Sequence, residues 1–173
     1  MSTSTPRILV AGIGNIFMGD DAFGVEVVRV LSRRSLPRSV RLVDFGIRGL
    51  DLAYALLDGY DLTILIDATV RGGPPGTLYT LEPELPDSAS GEIESHGMTP
   101  VKVLALASRL GGTIGRVVLV GCEPAPLDPG MDPLDIPEGL STPVSRAVEA
   151  AADRVVALIQ GAIPCVASLQ EKE

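Results

Sequence analysis

Ile8-Leu9-Val10-Ala11-Gly12-Ile13-Gly14-Asn15-Ile16-Phe17-Met18-Gly19-Asp20-Asp21-Ala22-Phe23-Gly24 decides how this chain is read. The run from Arg7 to Ala11 predicts a strand, apolar without interruption as in a sheet covered on both faces. Gly12 and Gly14 follow as a turn. Asp20 and Asp21 then stand side by side, and Phe23 opens a run with Val27, Val30 and Leu31 at helical spacing. A strand that hands its chain to a helix through such a turn places polar groups at the carboxyl edge of a parallel sheet, where open α/β sheets keep their sites.

Outward from this unit the alternation continues. Val40 to Val43 predicts a second strand, ending in Asp44-Phe45-Gly46, and Leu50 to Leu57 a helix closed by Asp58-Gly59. Leu62 to Ile66 is a third strand ending at Asp67, and Thr77 to Leu81 a fourth, at or near an edge. A helix runs from His96 or Thr99 to Leu110, with Thr99-Pro100 as cap and first turn. Arg116 to Val120 is the last strand. Ser141-Thr142-Pro143 starts a final helix with Val144, Val148, Ala151, Val155 and Leu158 on its apolar face and Gly161 as its stop. Two loops separate these elements, 82–94, rich in Pro, Ser and acidic residues, and 123–139, which holds five prolines. The expected fold is α/β: a single domain over residues 1–163, a twisted, mainly parallel five-stranded sheet with helices on both faces, and a frayed tail over 164–173. In that architecture Gly12 to Asp21, Asp44 to Gly46, and Asp67 leave the sheet at one edge and converge on one cleft.

Composition narrows the function classes. Hydrophobic residues make up 46% of the 173, but aromatics only 3%, so the core is built from Val, Leu, Ile and Ala. The net charge of −8 argues against a nucleic-acid partner and against an anionic membrane surface. No apolar run approaches the ~18 residues of a membrane span, and Met1 to Arg7 lacks the order of a signal peptide. A cytoplasmic protein is expected. Cys122 and Cys165 lie far apart with no CxxC, which reads as two free thiols.

The glycine turn is not a dinucleotide fingerprint, since position 17 is Phe where a third glycine is needed. A carboxylate pair at the helix start would also repel a phosphate. Asp20 and Asp21 have two readings: helix capping, or one acid capping while its neighbour faces the cleft. Asp67 ends an apolar strand, and a carboxylate there needs compensation. Its partner is Arg48 or Arg71, a backbone N–H turn, or a cation. His96, the sole histidine, is either a hydrogen-bonded surface residue or a ligand at the start of a helix that faces the cleft. Together Asp21, Asp67 and His96 offer two oxygens and one nitrogen. Such a set suits a borderline divalent metal such as nickel or zinc, with positions open to water or to a second protein. HExxH and GxSxG are absent. A thiol mechanism would require Cys122 or Cys165 beside His96.

These residues resemble the hydrogenase maturation endopeptidases of [NiFe] hydrogenases, peptidase family M52. The resemblance lies in Gly12-Ile13-Gly14-Asn15, Asp20-Asp21 with Gly24, Leu65-Ile66-Asp67-Ala68, Ser95-His96-Gly97, Gly121-Cys122-Glu123-Pro124 and Gly139-Leu140-Ser141, in family order across nearly the whole domain. It implies a single α/β domain that trims the C-terminal extension of a hydrogenase large-subunit precursor after nickel insertion. It also implies that Asp21, Asp67 and His96 are the metal-contacting and catalytic residues. The nickel is expected to come with the precursor rather than as a resident cofactor, so the isolated protein can be metal-free. The rival readings are a non-catalytic, nickel-sensing assembly factor that binds the precursor, and an α/β peptidase acting on another protein. One departure stands out. Many members carry Asp-Gly-Gly-Thr after the second strand, where this chain has Asp44-Phe45-Gly46-Ile47-Arg48-Gly49. Phe45 and Ile47 are expected to make that cleft wall stiffer and less polar, and Arg48 to add charge.

Overall fold

The computed structural model describes residues 4–84 and 99–164. Five strands form one sheet: β1 (Ile8–Ile13), β2 (Val40–Gly46), β3 (Leu62–Ala68), β4 (Leu78–Leu81) and β5 (Arg116–Cys122). Their order is β2-β1-β3-β5-β4. All pairings are parallel except that of β4 with β5, so the sheet is mainly parallel with one antiparallel edge strand.

Helices cover both faces. α1 (Phe23–Leu31) and α4 (Thr142–Ala162) pack on one, α2 (Gly49–Leu56) and α3 (Pro100–Arg109) on the other. Alternation along the strands sorts the two cores. Ile8, Val10, Ile64 and Ile66 point to α1 and α4, whereas Leu9, Ala11 and Leu65 point to α2 and α3. Phe23, Val27, Val28 and Leu31 form the buried stripe of α1. With few aromatics available, Phe23 is the largest side chain buried without exposure, and its burial contributes on the order of 1.5–3 kcal/mol.

Several expected ends shift. β1 runs on to Ile13, β2 to Gly46, β3 to Ala68 and β5 to Cys122. In each case glycine or a carboxylate reads as a breaker, while backbone pairing continues through it, as in Gly12 with Asp44 and Asp67 with Gly121. Asp67 is therefore held inside the ladder. α3 begins at Pro100, with the Thr99 hydroxyl accepting from the Lys102 N–H at 3.4 Å. α4 continues through Gly161 to Ala162, so that glycine is no stop. Ile159 takes the fully buried place on its inner face, with Leu158 partly buried beside it.

Gly24 is what lets α1 sit so low on the sheet. A Cβ there would collide with the carbonyl oxygens of Ile66 and Ile13, backbone atoms that cannot turn aside. The close approach fixes the 3-10 turn Gly19–Ala22, which carries Asp20 and Asp21, directly above the ends of β1 and β3.

Candidate active site

The chain lays β2 beside β1 and then returns past β1 to place β3 on its other side. Strand order thus reverses between β1 and β3, the position at which parallel sheets open a crevice. A cleft of about 830 Å³ lies there. Gly14, Asn15, Met18 and Asp21 enter it from the β1–α1 connection, Phe45 to Gly49 from the end of β2, Asp67 from β3, and Thr99 and Val103 from α3. Three segments expected to converge do so, although Asp44 itself is exposed and does not line the cleft.

Asp21 is exposed to the cleft, and its Oδ2 accepts a hydrogen bond from the Asn15 N–H at 2.8 Å. Asp67 is half-buried. Burial pushes its carboxyl up to about 7, the negative charge of Asp21 adds to the rise, and the N–H of Ala68 opposes it. No salt bridge reaches Asp67 among the described residues. The two arginines expected as its partners are engaged elsewhere. Arg48 donates to the carbonyls of Asp44 (2.5 Å) and Phe45 (3.2 Å) and pairs with Asp51, and Arg71 stacks over the ring of Tyr79. Two acids, Asp21 on the 3-10 turn and Asp67 on β3, therefore share one cleft, and neither is in a salt bridge among the described residues. A proton that stays on Asp67 to near neutrality can be moved to or from a bound group, and its loss would leave two carboxylates facing the cleft.

His96 lies outside the described residues, as do Cys165, the Ser95-His96-Gly97 motif, most of the 82–94 loop, and 165–173 of the expected tail. Among the described residues no group of three or more His, Cys, Asp or Glu is poised to hold a metal. Asp21 and Asp67 come together; the third expected member is not described.

The capping reading of the acid pair does not hold. Neither the 3-10 turn nor α1 has a side-chain cap. Asp20 is instead buried and turned toward the proline-rich loop. Its Oδ1 accepts from the Ser141 N–H at 2.6 Å, and its Oδ2 accepts from the Ser141 hydroxyl and the Ala125 N–H, each at 2.8 Å. Ser141 correspondingly gives no side-chain cap to its own helix.

On the far side of Met18, Asp21 and Ala68, which border both spaces, lies a second cleft of about 720 Å³. One of its walls runs from Val70 to Pro75, the other from Glu123 to Leu127. Glu123 is the residue that sequence reading missed. Its buried carboxylate accepts from the N–H groups of Arg71 (2.8 Å) and Gly72 (3.1 Å) and from the Tyr79 hydroxyl (2.7 Å). Burial would push Glu123 up, but the Tyr79 hydroxyl and the N–H groups of Arg71, Gly72 and Gly73 together hold it below the usual carboxylate range. The signal was present in the chain, since a carboxylate directly after an apolar strand demands a partner. Cys122 is fully buried, and burial, with the charges of Asp20 and Glu123, pushes its thiol up to about 11. It is therefore not a thiolate nucleophile near neutral pH.

Phe45 is buried against α2 and α3, while Ile47 stands exposed at the cleft mouth. Both residues line the cleft, so this wall carries two apolar side chains as expected. Arg48 turns its guanidinium to the backbone of its own loop.

Comparison with known proteins agrees with this fold. The profile of the hydrogenase maturation protease family matches residues 25–159. The chain is similar to the hydrogenase 2 maturation protease of Escherichia coli, 32% identical over 157 residues that cover 89% of this chain and 91% of the relative. It is also similar to the hydrogenase expression/formation protein HupD of Rhodobacter capsulatus, 36% identical over 70% of this chain and 59% of the relative. The matches to this HupD and to HupM of Azotobacter chroococcum span about three fifths of those curated relatives. Among solved structures, the hydrogenase maturating endopeptidase HybD of Escherichia coli superposes with a TM-score of 0.73 at 31% identity, covering 92% of this chain and 98% of that one. A hydrogenase 2 maturation peptidase from Thaumarchaeota archaeon SCGC_AB-539-E09 superposes with a TM-score of 0.66 at 34% identity, covering 89% and 98%.

Proposed function

The chain belongs to the hydrogenase maturation protease family, and from that premise we propose that it is an endopeptidase that removes the C-terminal extension of a [NiFe] hydrogenase large-subunit precursor once nickel has been inserted. The observation that carries this reading is the cleft shared by Asp21 and Asp67, two acids at the crevice between β1 and β3 that make no salt bridge among the described residues.

In this reading the precursor presents its nickel centre and its extended tail together. Asp21, Asp67 and His96 supply two oxygens and one imidazole nitrogen, a donor set suited to nickel that belongs to the substrate. Thr99, three residues after His96 in the chain, lines the same cleft. Without a cation, Asp67 keeps its proton to about 7. Engagement of the loaded precursor displaces that proton, so metal recognition and proton release are coupled. With the nickel centre seated, the scissile peptide is fixed beside the two acids, and a carboxylate in that position serves as base for the attacking water. Cys122 takes no part, being buried and protonated.

Incubation of purified protein with nickel-loaded precursor, followed by mass analysis of both products, tests the proposal. Release of a discrete C-terminal peptide is expected. Stable binding of the precursor with no peptide released would instead establish the nickel-sensing assembly factor.

A further inference from the structure

The carboxylate next to Asp21 in sequence does something different from Asp21. Asp20 is buried, and its three hydrogen bonds reach the two ends of the segment 125–141, with Ala125 at one end and Ser141 at the other. A single side chain thus closes the base of the proline-rich arm. Within the arm, the side-chain hydrogen bonds are local, from Gly130 N–H to Asp128 and from Leu134 N–H to Asp132. Gly19, the residue before Asp20, lies beneath Ile136, Pro137 and Gly139 of the same arm.

Two consequences follow from where this clasp sits. Pro124 to Leu127 form a wall of the 720 Å³ cleft that Asp21 borders, so the clasp sets the distance between that wall and the acid. The arm also carries Leu127, Met131 and Leu134 with roughly half, two fifths and nine tenths of their surface exposed. An exposed arm that carries these three apolar side chains among four acids (Asp128, Asp132, Asp135 and Glu138), and that is tied by its base to the turn that bears Asp21, is built to take up part of a polypeptide and hold it in register with the acid.

We propose that Asp20 is a positioning residue for the polypeptide substrate: by clasping Ala125 and Ser141 it holds the 125–141 arm and the Pro124–Leu127 wall where the precursor docks, so that it governs substrate affinity and not the bond-breaking step. This rests on the peptidase reading above.

The test has two arms. Hydrogen exchange is followed at residues 124–141 in the free protein for the wild type, Asp20→Asn and Ser141→Ala. Asn keeps the size of Asp20 but sets an amide donor against N–H donors, and Ser141→Ala removes one hydroxyl. Exchange in the arm is expected to quicken in both variants while the strands stay protected. Unchanged exchange in both overturns the clasp. If Asp20→Asn fails to fold, Ser141→Ala alone decides. Processing and binding of nickel-loaded precursor are then measured. KM and the precursor Kd should rise about tenfold in Asp20→Asn with kcat within about threefold of wild type. Adding Ser141→Ala to Asp20→Asn should cost nothing further. A fall in kcat with KM unchanged, or an arm that loosens while both constants and Kd stay at wild-type values, overturns the proposal. If the wild type binds precursor without cutting it, the peptidase reading fails and Kd alone decides for Asp20. If it does neither, both readings fail, whatever the exchange shows.

Discussion

Asp21 faces one cleft from the 3-10 turn and Asp67 faces the same cleft from β3, and the charge on Asp21 adds to burial in keeping the Asp67 carboxyl protonated up to about 7. The unfolded chain releases that proton near 3.8, whereas the fold holds it to about 7. Between these values the folded state binds one more proton, so this group makes stability fall as pH rises and then level off. At pH 8 the cost has an upper bound of about 4 kcal/mol, from about 1.4 kcal/mol per unit. Asp67→Asn removes it. Urea unfolding of Asp67→Asn should show a larger stability gain over wild type at pH 8 than at pH 5. An equal gain at both would contradict the assignment.

Gly24→Ala puts a methyl against the backbone carbonyls of Ile66 and Ile13. Overpacking a core costs about 1–3 kcal/mol where side chains can yield, and backbone on two strands yields less. A loss at the upper end of that range or beyond is expected in urea denaturation. A loss below about 0.5 kcal/mol, the scale of ordinary surface substitutions, would show that α1 does not depend on this contact.

These two sites differ in how far the chain announces them. The Gly12–Gly24 unit was legible because an apolar run, glycines and a helical period are all local signals, and the parallel sheet followed from repeating it. Strand ends were not legible at Asp44, Asp67 and Gly121, because the ladder uses backbone groups that any residue except proline supplies. Asp21 and Asp67 were legible as candidates, since acids after apolar strands at one sheet edge must face a common crevice. Asp20 clasping Ser141 was not. The pair is 121 residues apart, and no local period marks a contact between a turn and a distant helix start.

Glu123 gives a prediction of opposite sign to that for Asp67. Its folded carboxyl lies below the usual range despite burial, because Tyr79 and three backbone N–H groups favour the charged form. Its contribution is present above the unfolded value of 4.5 and is lost as pH falls through the folded one. Tyr79→Phe removes the largest of the lowering interactions. The acid-unfolding midpoint of Tyr79→Phe, followed by circular dichroism, should move to higher pH. A midpoint at or below the wild-type value would contradict the arrangement.

Precursor binding should carry the signature of Asp67 as well. If the carboxylate form engages the nickel-loaded precursor, one proton must leave, and affinity weakens by about tenfold per unit below pH 7. Protonation of His96 would steepen the fall. Titration of precursor binding between pH 5.5 and 8 reads this directly. Affinity that does not change across the range would rule out proton-coupled recognition.

The central claim is that Asp21, Asp67 and His96 read the nickel of the precursor and thereby license the cut. It is tested most directly by following release of the C-terminal peptide from nickel-loaded and nickel-free precursor, with wild type and with Asp21→Ala, Asp67→Ala and His96→Ala. The account predicts cleavage of the loaded precursor only, and a loss of about a hundredfold or more in each variant. Efficient cleavage of nickel-free precursor, or trimming by His96→Ala at the wild-type rate, would contradict it.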